Sequence, residues 1–321
     1  MSGKQILRSE VILEKYGKKL AGKTVLITGV SDESIAGELA LQLAAADPKM
    51  LILSARSGSK VAPVINQINA KNPNVQTRFL NMDLSDLSAV RKAATQDLVD
   101  ISKIDHVVCV AGVMICPYGK TKDGFEMQLG VNYLANFLLI KLLLPKVEAA
   151  GPSSSVIIVS SSSIRHGKVH FDDIGFSEGK TYEAYAAYGQ SNVARTMFAK
   201  KLAEKLKAKG IRVFSIDPGA VQSGLQRHFT EDFQAEVGEM MKTGHLVDLD
   251  GTKFDFPPWT GRSEGAASII TGMIDPTIAD SSGAYISQNI VANDDLHSHI
   301  RDENNWTRLW EISEGFVGEK Y

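Results

Sequence analysis

Short apolar runs recur along the chain, and stretches with helical periodicity separate them. The runs are Val25–Ile27, Leu51–Leu53, Phe79–Leu80, Val107–Val110, Val156–Val159, Val213–Ile216 and Ala284–Ile286. The helical stretches are Ile35–Ala46, Val64–Ala70, Leu87–Leu98, Phe125–Val147 and Tyr185–Lys207. Such non-alternating strands are typical of a parallel sheet with helices on both faces, because neither face of the strand meets water. The sequence therefore predicts an α/β fold, a Rossmann-type doubly wound parallel sheet formed as a single domain.

Two segments depart from this alternation. Residues 1–20 predict an N-terminal lead-in helix, which leaves 21–321 for the Rossmann-type domain. Residues from about 222 to 262 contain Pro257-Pro258 followed by Trp259, and they predict a helical excursion before the last helix and strand. Ligands of an open α/β sheet bind beyond the carboxyl ends of its strands, so the excursion is expected to form a lid over the substrate. A surface insertion without a ligand role is the alternative.

Composition excludes several classes of function. The formal net charge of −2 over 321 residues gives no reason to expect a nucleic-acid partner. Only two cysteines occur, Cys109 and Cys116, so a disulfide framework is not expected and a reducing, cytoplasmic location is. The first twenty residues lack a long apolar run, and the apolar stretch Tyr133–Leu144 is too short to cross a bilayer, so no membrane anchor is expected. His297 and His299 lack a fuller ligand framework, and no metal site is expected.

One predicted helix carries the candidate chemistry. Tyr188, Asn192 and Arg195 are spaced by four and three residues, which places them on one helical face. A tyrosine with a cation one turn along the helix can act as an acid or base near neutral pH. Here the residue one turn along is Asn192, which carries no charge.

Five motifs stand in order along the chain: Thr28-Gly29, Ala111-Gly112, Val159-Ser160-Ser161, Tyr188-Gly-Gln-Ser-Asn192 and Asp217-Pro218-Gly219. Together they resemble the short-chain dehydrogenase/reductase superfamily. The segments Pro117–Met127, Phe171–Asp173 and Ala187–Ser191 are similar to its retinol-dehydrogenase-like and WW-domain-oxidoreductase-like branch.

The resemblance implies a catalytic Asn-Ser-Tyr-Lys tetrad. Asn132 matches the asparagine, Ser161 the serine (with Ser162 as the alternative register) and Tyr188 the tyrosine, but Asn192 stands at the lysine position. The branch commonly reads Ser-Lys-Leu-Ala-Asn where this chain reads Ser191-Asn-Val-Ala-Arg195. The cation and the amide look exchanged, and Arg195 could reach back to the place of the lysine head. The alternative is that Arg195 faces solvent or a neighbouring carboxylate.

The resemblance also implies a nicotinamide dinucleotide site with an altered glycine-rich loop. Ser34 and Ala36 stand at the second and third glycine positions, one residue is added, and Asp32 and Glu33 precede the helix. Ser34 could donate to a phosphate, whereas the acids would repel one. The implied cofactor-binding residues are Gly29, Ser31, Ser34, Ile35, Arg56, Asp83, Leu84, Ala111, Gly112, Pro218, Gly219 and Ser223. Arg56 matches a position that contacts the adenosine 2′-phosphate, which favours NADP(H); a solvated loop arginine is the alternative.

The expected function is therefore an NADP(H)-dependent short-chain oxidoreductase acting on a hydroxyl or carbonyl of a hydrophobic small molecule, with a biosynthetic, secondary-metabolite intermediate as one candidate. The glycine-rich loop and the lysine position both depart from the family pattern, and these two departures keep two alternative functions open. One is an enzyme of this fold that binds no cofactor and catalyses proton transfer, such as cyclisation, isomerisation, dehydration or an aldol-type step. The other is a catalytically silent binding scaffold. The resemblance further implies a homo-oligomer, a dimer or tetramer.

Overall fold

The computed structural model describes residues 6–255 and 258–321. Its central sheet has eight strands in the order β12-β11-β6-β5-β4-β1-β2-β3, and every neighbouring pair is parallel except the antiparallel edge pair β11 and β12. The strands are β1 Thr24–Thr28, β2 Met50–Ala55, β3 Gln76–Asn81, β4 His106–Cys109, β5 Ser155–Val159, β6 Arg212–Asp217, β7 Ala220–Val221, β8 His245–Val247, β9 Lys253–Asp255, β10 Trp259–Thr260, β11 Tyr285–Ser287 and β12 Ile290–Val291. The predicted doubly wound α/β fold is confirmed.

Helices cover both faces of this sheet. They are α1 Ser9–Tyr16, α2 Ile35–Ala44, α3 Gly58–Lys71, α4 Leu87–Lys92, α5 Ala135–Ala150, α6 Ala184–Leu206, α7 Glu231–Thr243, α8 Arg262–Ile274, α9 Ser298–Arg301 and α10 Glu303–Val317. One apolar cluster lies between the sheet and α4, α5, α6 and α10. A second lies between the sheet and α2, α3 and α8. The central strands are buried on both sides, which explains their continuous apolar sequences.

Two predicted helices contain a wider turn. The stretch predicted from 87 to 98 is helical as α4 and then forms a π-helical turn, Ala93–Asp97. The stretch predicted from 125 begins with a second π-helical turn, Leu129–Leu134, before α5. The combined helix Leu129–Ala150 is long and apolar enough to cross a membrane by length and composition alone, but 72% of its apolar window is buried in this fold. Its sequence is thus accounted for by packing between the sheet and neighbouring helices.

The two departing segments pack onto the domain. Within the predicted lead-in, α1 is followed by a 3₁₀ turn, Gly17–Leu20, and Ser9 bonds Ser263 of α8 through both its amide and its hydroxyl (3.1 and 2.6 Å). The excursion contains α7 and the antiparallel hairpin β8–β9, and it returns through β10, which pairs with β7. Pro257 of the predicted proline pair lies outside the described residues.

Candidate active site

The carboxyl ends of β1 and β4 meet where the strand order reverses. Gly29 follows β1 with φ +79°, a conformation that glycine adopts without strain. A Cβ at Gly29 would lie 2.7 Å from the Cα of Ala111, so only glycine permits this approach. Because parallel α/β folds bind ligands at such a reversal, this edge is the candidate site.

Local hydrogen bonds shape the loop after Gly29. Ser34 is the N-cap of α2: its hydroxyl accepts from the Gly37 amide (2.9 Å) and donates to the Ser31 carbonyl (2.8 Å). A Cβ at Gly37 would lie 2.1 Å from the Ser31 carbonyl oxygen. Only glycine at this position therefore lets the lengthened loop pack against the start of α2. The hydroxyl proton of Ser34 thus has an acceptor within the loop, and the residue serves first as a helix cap.

The two loop acids are placed differently. Asp32 accepts a hydrogen bond from Gln67 of α3 (2.8 Å), and its carbonyl accepts from Arg262 (2.9 Å). Glu33 lines a cavity of about 450 Å³ together with Ser223 and Arg262. The loop and the excursion therefore enclose one space at the carboxyl edge of the sheet.

The other implied cofactor residues surround the same edge. Arg56 directly follows β2 and is exposed, and Asp83 follows β3, where its carboxylate accepts from Ser85. Gly219 follows β6 with φ +84°. Ser223 caps a 3₁₀ turn, Gly224–His228, in a capping box with Gln226, a local role that the sequence did not predict. The remaining members lie on the same loops: Ile35 at the start of α2, Leu84 beside Asp83, Gly112 after Ala111, and Pro218 before Gly219.

Asn132 lies on the π-helical turn, a local distortion that often marks functional positions. Its side-chain amide spans two elements. It accepts from the Val113 amide (2.8 Å) and donates to the Val113 carbonyl and the Ser191 hydroxyl (both 2.9 Å). The loop after β4 is thereby attached to α6, and the main-chain carbonyl of Asn132 is left facing Arg195.

The serine run, residues 160–163, directly follows β5, and its members have different contacts. The Ser161 hydroxyl lies against the Tyr188 phenol and accepts from the Ser163 amide (3.1 Å). Ser162 instead gives its main-chain amide to Asp217. This arrangement favours Ser161 over Ser162 as the serine facing Tyr188.

Tyr188 is 7% exposed on α6. Burial raises the pKa of its phenol, while the Arg195 charge, the Ser161 hydroxyl and the Asn192 amide oppose that rise. Since the rise prevails, the phenol holds its proton at neutral pH. A protonated phenol can donate to a developing oxyanion.

Arg195 is only 3% exposed, so the alternative in which it faces solvent is wrong. Its Nε donates to the Asn132 carbonyl (2.5 Å), one terminal nitrogen donates to the Ala111 carbonyl, and the other lies 3.4 Å from the Asn192 amide oxygen. In the described chain all three acceptors are neutral. Burial lowers the arginine pKa to about 10, so the side chain remains a cation at neutral pH. Among the described residues this buried cation has no carboxylate partner, and its charge acts on the Tyr188 phenol.

Asp217 is a site residue that the sequence analysis named only as part of a turn motif. Its carboxylate accepts from the amides of Gly219 (3.0 Å) and Ser162 and from the Ser287 hydroxyl (3.1 Å). Burial raises its pKa, and its charge raises that of Tyr188. The signal available in the sequence was a charged residue at the end of a strand with both faces buried.

The excursion covers this edge with aromatic side chains. The rings of Tyr185 and Phe254 lie 5.7 and 5.8 Å from His166, and Phe233 lies 6.1 Å from Tyr185. Tyr185 lies in the first turn of α6, the helix that carries Tyr188, and Phe254 belongs to the hairpin. The excursion therefore packs against the start of α6 with aromatic side chains, and its role as a lid stays a prediction.

Ion pairs hold the excursion in place. The Asp248 carboxylate, whose side chain is 4% exposed, accepts from Arg165 (2.7 Å) and from His297. Arg165 lies two residues after the serine run and also pairs with Asp295 (2.5 Å). We call Asp248, Arg165 and His297 the clasp, because they connect the excursion, the serine segment and the C-terminal region.

Neither cysteine chemistry nor a metal centre is indicated. Burial raises the pKa of Cys109 to about 12, which makes its thiol inert. Over residues 6–255 and 258–321, no three His, Cys, Asp or Glu side chains are grouped closely enough to hold a metal ion.

Comparison of the sequence with known protein families identifies one family. Residues 23–234 match the family model for short chain dehydrogenases. The chain belongs to the short-chain dehydrogenase family. It is 39% identical to retinol dehydrogenase 11 of Homo sapiens over 212 residues, which are 65% of this chain and 64% of that protein. It is 31% identical to retinol dehydrogenase 12 of Mus musculus over 302 residues, 94% of this chain and 88% of that protein. The resemblance to the retinol-dehydrogenase-like branch is thus confirmed, although the aligned region spans less than two thirds of the human protein.

Several solved structures share the fold. An uncharacterised protein from Mycobacterium paratuberculosis superposes with a TM-score of 0.69 at 23% identity, covering 94% of this chain and 96% of that one. An NADP complex of RhlG from Pseudomonas aeruginosa gives a TM-score of 0.59 at 24% identity, covering 84% and 95%. A short chain dehydrogenase from Mycobacterium paratuberculosis bound to NAD gives 0.62 at 18% identity, covering 84% and 97%.

Proposed function

We propose that this short-chain dehydrogenase catalyses NADP(H)-dependent transfer of hydride to or from a hydrophobic small molecule, with Arg195 supplying the cation that the family places four residues after the tyrosine. The single observation that carries the proposal is the buried Arg195 guanidinium, which is held by the carbonyl oxygens of Asn132 and Ala111 and whose charge lowers the pKa of Tyr188. A chain that had lost redox chemistry would have no use for a buried, unpaired charge at this point, since burial of such a charge costs several kcal/mol.

The side chains support a defined path for the proton. In the direction of reduction, the Tyr188 phenol donates its proton to the substrate oxygen, and Ser161 hydrogen-bonds the same oxygen. Arg195 stabilises the phenolate that remains, because an opposite charge nearby favours the ionised form. Asn132 holds the guanidinium through its main-chain carbonyl. The raised pKa of Tyr188 favours the protonated donor at neutral pH, which suits reduction of a carbonyl.

The residues present fit a dinucleotide, which would supply or accept the hydride. Gly29 brings the backbone of the loop against Ala111, and a Cβ at the neighbouring Gly112 would lie only 3.4 Å from the Arg195 guanidinium. Arg56 is exposed at the end of β2, within the half of the sheet that holds adenosine in this fold. Its guanidinium can pair with a 2′-phosphate, which supports a preference for NADP(H) over NAD(H).

The aromatic wall of Tyr185, Phe254 and Phe233 supports an apolar substrate, and the excursion would act as the lid over it. Retinol is the first alcohol to assay, since relatives carry its name. The proposal also includes a biosynthetic intermediate as a candidate natural substrate, a cytoplasmic location and assembly as a homo-oligomer.

Melting temperature measured against added NADPH and NADH tests the proposal, because a ligand that binds only the folded state raises apparent stability. We expect a saturable rise at micromolar NADPH and a weaker one with NADH. In Arg56→Gln the NADPH effect should fall to that of NADH, which remains the internal control.

A second arm follows turnover of retinal and retinol by nicotinamide absorbance in the wild type and in Tyr188→Phe. No thermal shift with either dinucleotide at millimolar concentration would refute the redox proposal. If the protein then turned over a substrate without a dinucleotide and Tyr188→Phe altered that turnover, we would infer a non-redox proton-transfer enzyme. If no turnover were found, we would infer a binding scaffold.

A further inference from the structure

A large cavity opens at the opposite, amino-terminal edge of the sheet. Its volume is about 1140 Å³, and it lies among the first residues of β4 and β6, the second half of α6, the turn before β11 and the start of α10. Tyr188 and the loop after Gly29 lie at the carboxyl ends of the strands. The cavity is therefore separate from the active site, and the size is ample for a small organic ligand.

Arg212, the first residue of β6, contributes a half-buried cation to this cavity. One terminal nitrogen donates to the carbonyls of Ser153 and Met273 (both 2.9 Å). Its Nε is buried and has no hydrogen-bond partner in the described chain. Burial lowers the pKa of Arg212, yet an arginine remains charged at neutral pH. Among the described residues both hydrogen-bond partners of the guanidinium are neutral carbonyl groups, and its buried Nε donor has no partner.

Lys200 on α6 contributes a second cation. Its ammonium donates to the Gly283 carbonyl (3.2 Å) and lies 5.6 Å from the centre of the Trp306 ring. The Gly283 amide in turn donates to the carbonyl of Val213, the neighbour of Arg212, so the two cations flank one segment of backbone. Burial, with a contribution from Arg301, lowers the pKa of Lys200 to about 8. No carboxylate of the described residues pairs with either Lys200 or Arg212.

Charge over the whole lining is also positive. The cations of the wall are Lys19, Lys23, Lys200, Lys207 and Arg212, and the acids are Glu204, Asp280 and Glu303. Two of these are paired outside the cavity: Lys23 with Asp105, and Glu204 with Lys201. The charged side chains of the wall that are left without these ion pairs are mostly cations, which favours a negatively charged ligand.

We propose that this cavity is a binding site for a small organic anion, a carboxylate or phosphate on an apolar body, with Lys200 and Arg212 as its charged contacts. Charged groups that are partly withdrawn from water are ordinarily paired, because leaving one without an opposite charge is unfavourable. The missing partner of both cations is an anion, and the cavity between them admits one. Met273, Ile274 and Trp306 provide apolar wall for the rest of the ligand.

Phenyl phosphate and benzoate are suitable probes, and the rise in melting temperature with probe concentration gives the affinity. The two probes separate phosphate from carboxylate recognition. In Lys200→Met we expect at least about a tenfold loss of affinity, the effect of one lost charge-assisted hydrogen bond. Without probe, Lys200→Met should melt no lower than the wild type, because the variant removes a half-buried charge that has no carboxylate partner among the described residues. Lys205→Met is the matched control, since Lys205 lies on the same helix, is exposed and faces Trp310.

The dinucleotide site could also bind these anions, so Arg56→Gln is measured with the same probes. A probe effect that persists in Arg56→Gln and disappears in Lys200→Met supports the cavity. An effect lost in Arg56→Gln but kept in Lys200→Met overturns it, as does equal affinity in the wild type and Lys200→Met, or no effect in the wild type. Benzoate keeps its charge from pH 7 to 9, so its affinity should fall several-fold over that range as Lys200 loses its proton. These results do not depend on NADPH binding.

Discussion

The side-chain amide of Asn192 donates to the Ser163 hydroxyl at 3.2 Å and to the Tyr188 carbonyl at 3.0 Å. Its oxygen lies 3.4 Å from a terminal nitrogen of Arg195. Both ends of the amide therefore have partners inside the protein, and Asn192 bridges the serine segment and α6. The position to which the resemblance assigns a lysine thus holds a residue that connects two elements, and Arg195 lies one turn further along the helix.

Arg195→Met tests whether that cation serves catalysis. Removing the charge takes away the largest influence that lowers the Tyr188 pKa, so the phenolate formed during reduction becomes less stable. We expect kcat/KM for carbonyl reduction to fall by about 100-fold or more. The control is Lys205→Met, an exposed cation on the same helix. Unchanged kcat/KM in Arg195→Met, with its melting temperature confirming the fold, would contradict the assignment.

The exchange of cation and amide can be tested by reversing it. Asn192→Lys alone places a second cation within reach of the Arg195 guanidinium in a buried site, so we expect a loss of about 3–5 kcal/mol in the free energy of unfolding. Asn192→Lys combined with Arg195→Asn restores one cation and one amide, and it should recover much of both stability and activity. Chemical denaturation of the wild type, Asn192→Lys, Arg195→Asn and the double variant gives the coupling energy between the two positions. Additive effects in this cycle would show that the two positions act independently.

Burial on both faces made the parallel strands predictable, because it leaves continuous apolar runs such as Val156–Val159. Ser161 and Tyr188 were predicted as catalytic side chains from the order of the motifs, and the structure brings the two together. The orientation of Arg195 could not be predicted, since a helical position is compatible with solvent or interior until the neighbouring elements are placed. Ser34 and Ser223 were assigned to the cofactor by position, and the structure shows that both cap helical turns.

Contacts between distant parts of the chain account for most of what the sequence did not show. Asp217 joins the ends of β5, β6 and β11, and no local spacing reveals such a junction. The clasp joins residues 165, 248 and 297, whose association depends on the complete fold. Periodicity in the sequence therefore predicted the strands and helices that form the site. The charges and ion pairs of the site could not be predicted, because they depend on contacts between distant parts of the chain.

The pH dependence of reduction should move in opposite directions in two variants. Activity requires the protonated Tyr188 phenol, so the rate falls as pH rises through the tyrosine pKa. The Asp217 charge raises that pKa and the Arg195 charge lowers it. The alkaline limb should accordingly move to lower pH in Asp217→Asn and to higher pH in Arg195→Met. Profiles of kcat/KM measure both limbs, and shifts of the same sign would show that the charges do not act through Tyr188.

Asp248→Asn should weaken the clasp and release the excursion. The carboxylate is buried between Arg165 and His297, so its loss leaves two polar groups with weaker partners and costs about 1–3 kcal/mol locally. We expect faster limited proteolysis within residues 222–262 and a several-fold higher KM for an apolar substrate. The value of kcat should change less, because Tyr188 and Arg195 keep their contacts. Lys242→Gln, which removes an exposed ion pair with Glu239 in α7, is the matched control. Equal cleavage rates in the wild type, Asp248→Asn and Lys242→Gln would show that the clasp does not hold the lid.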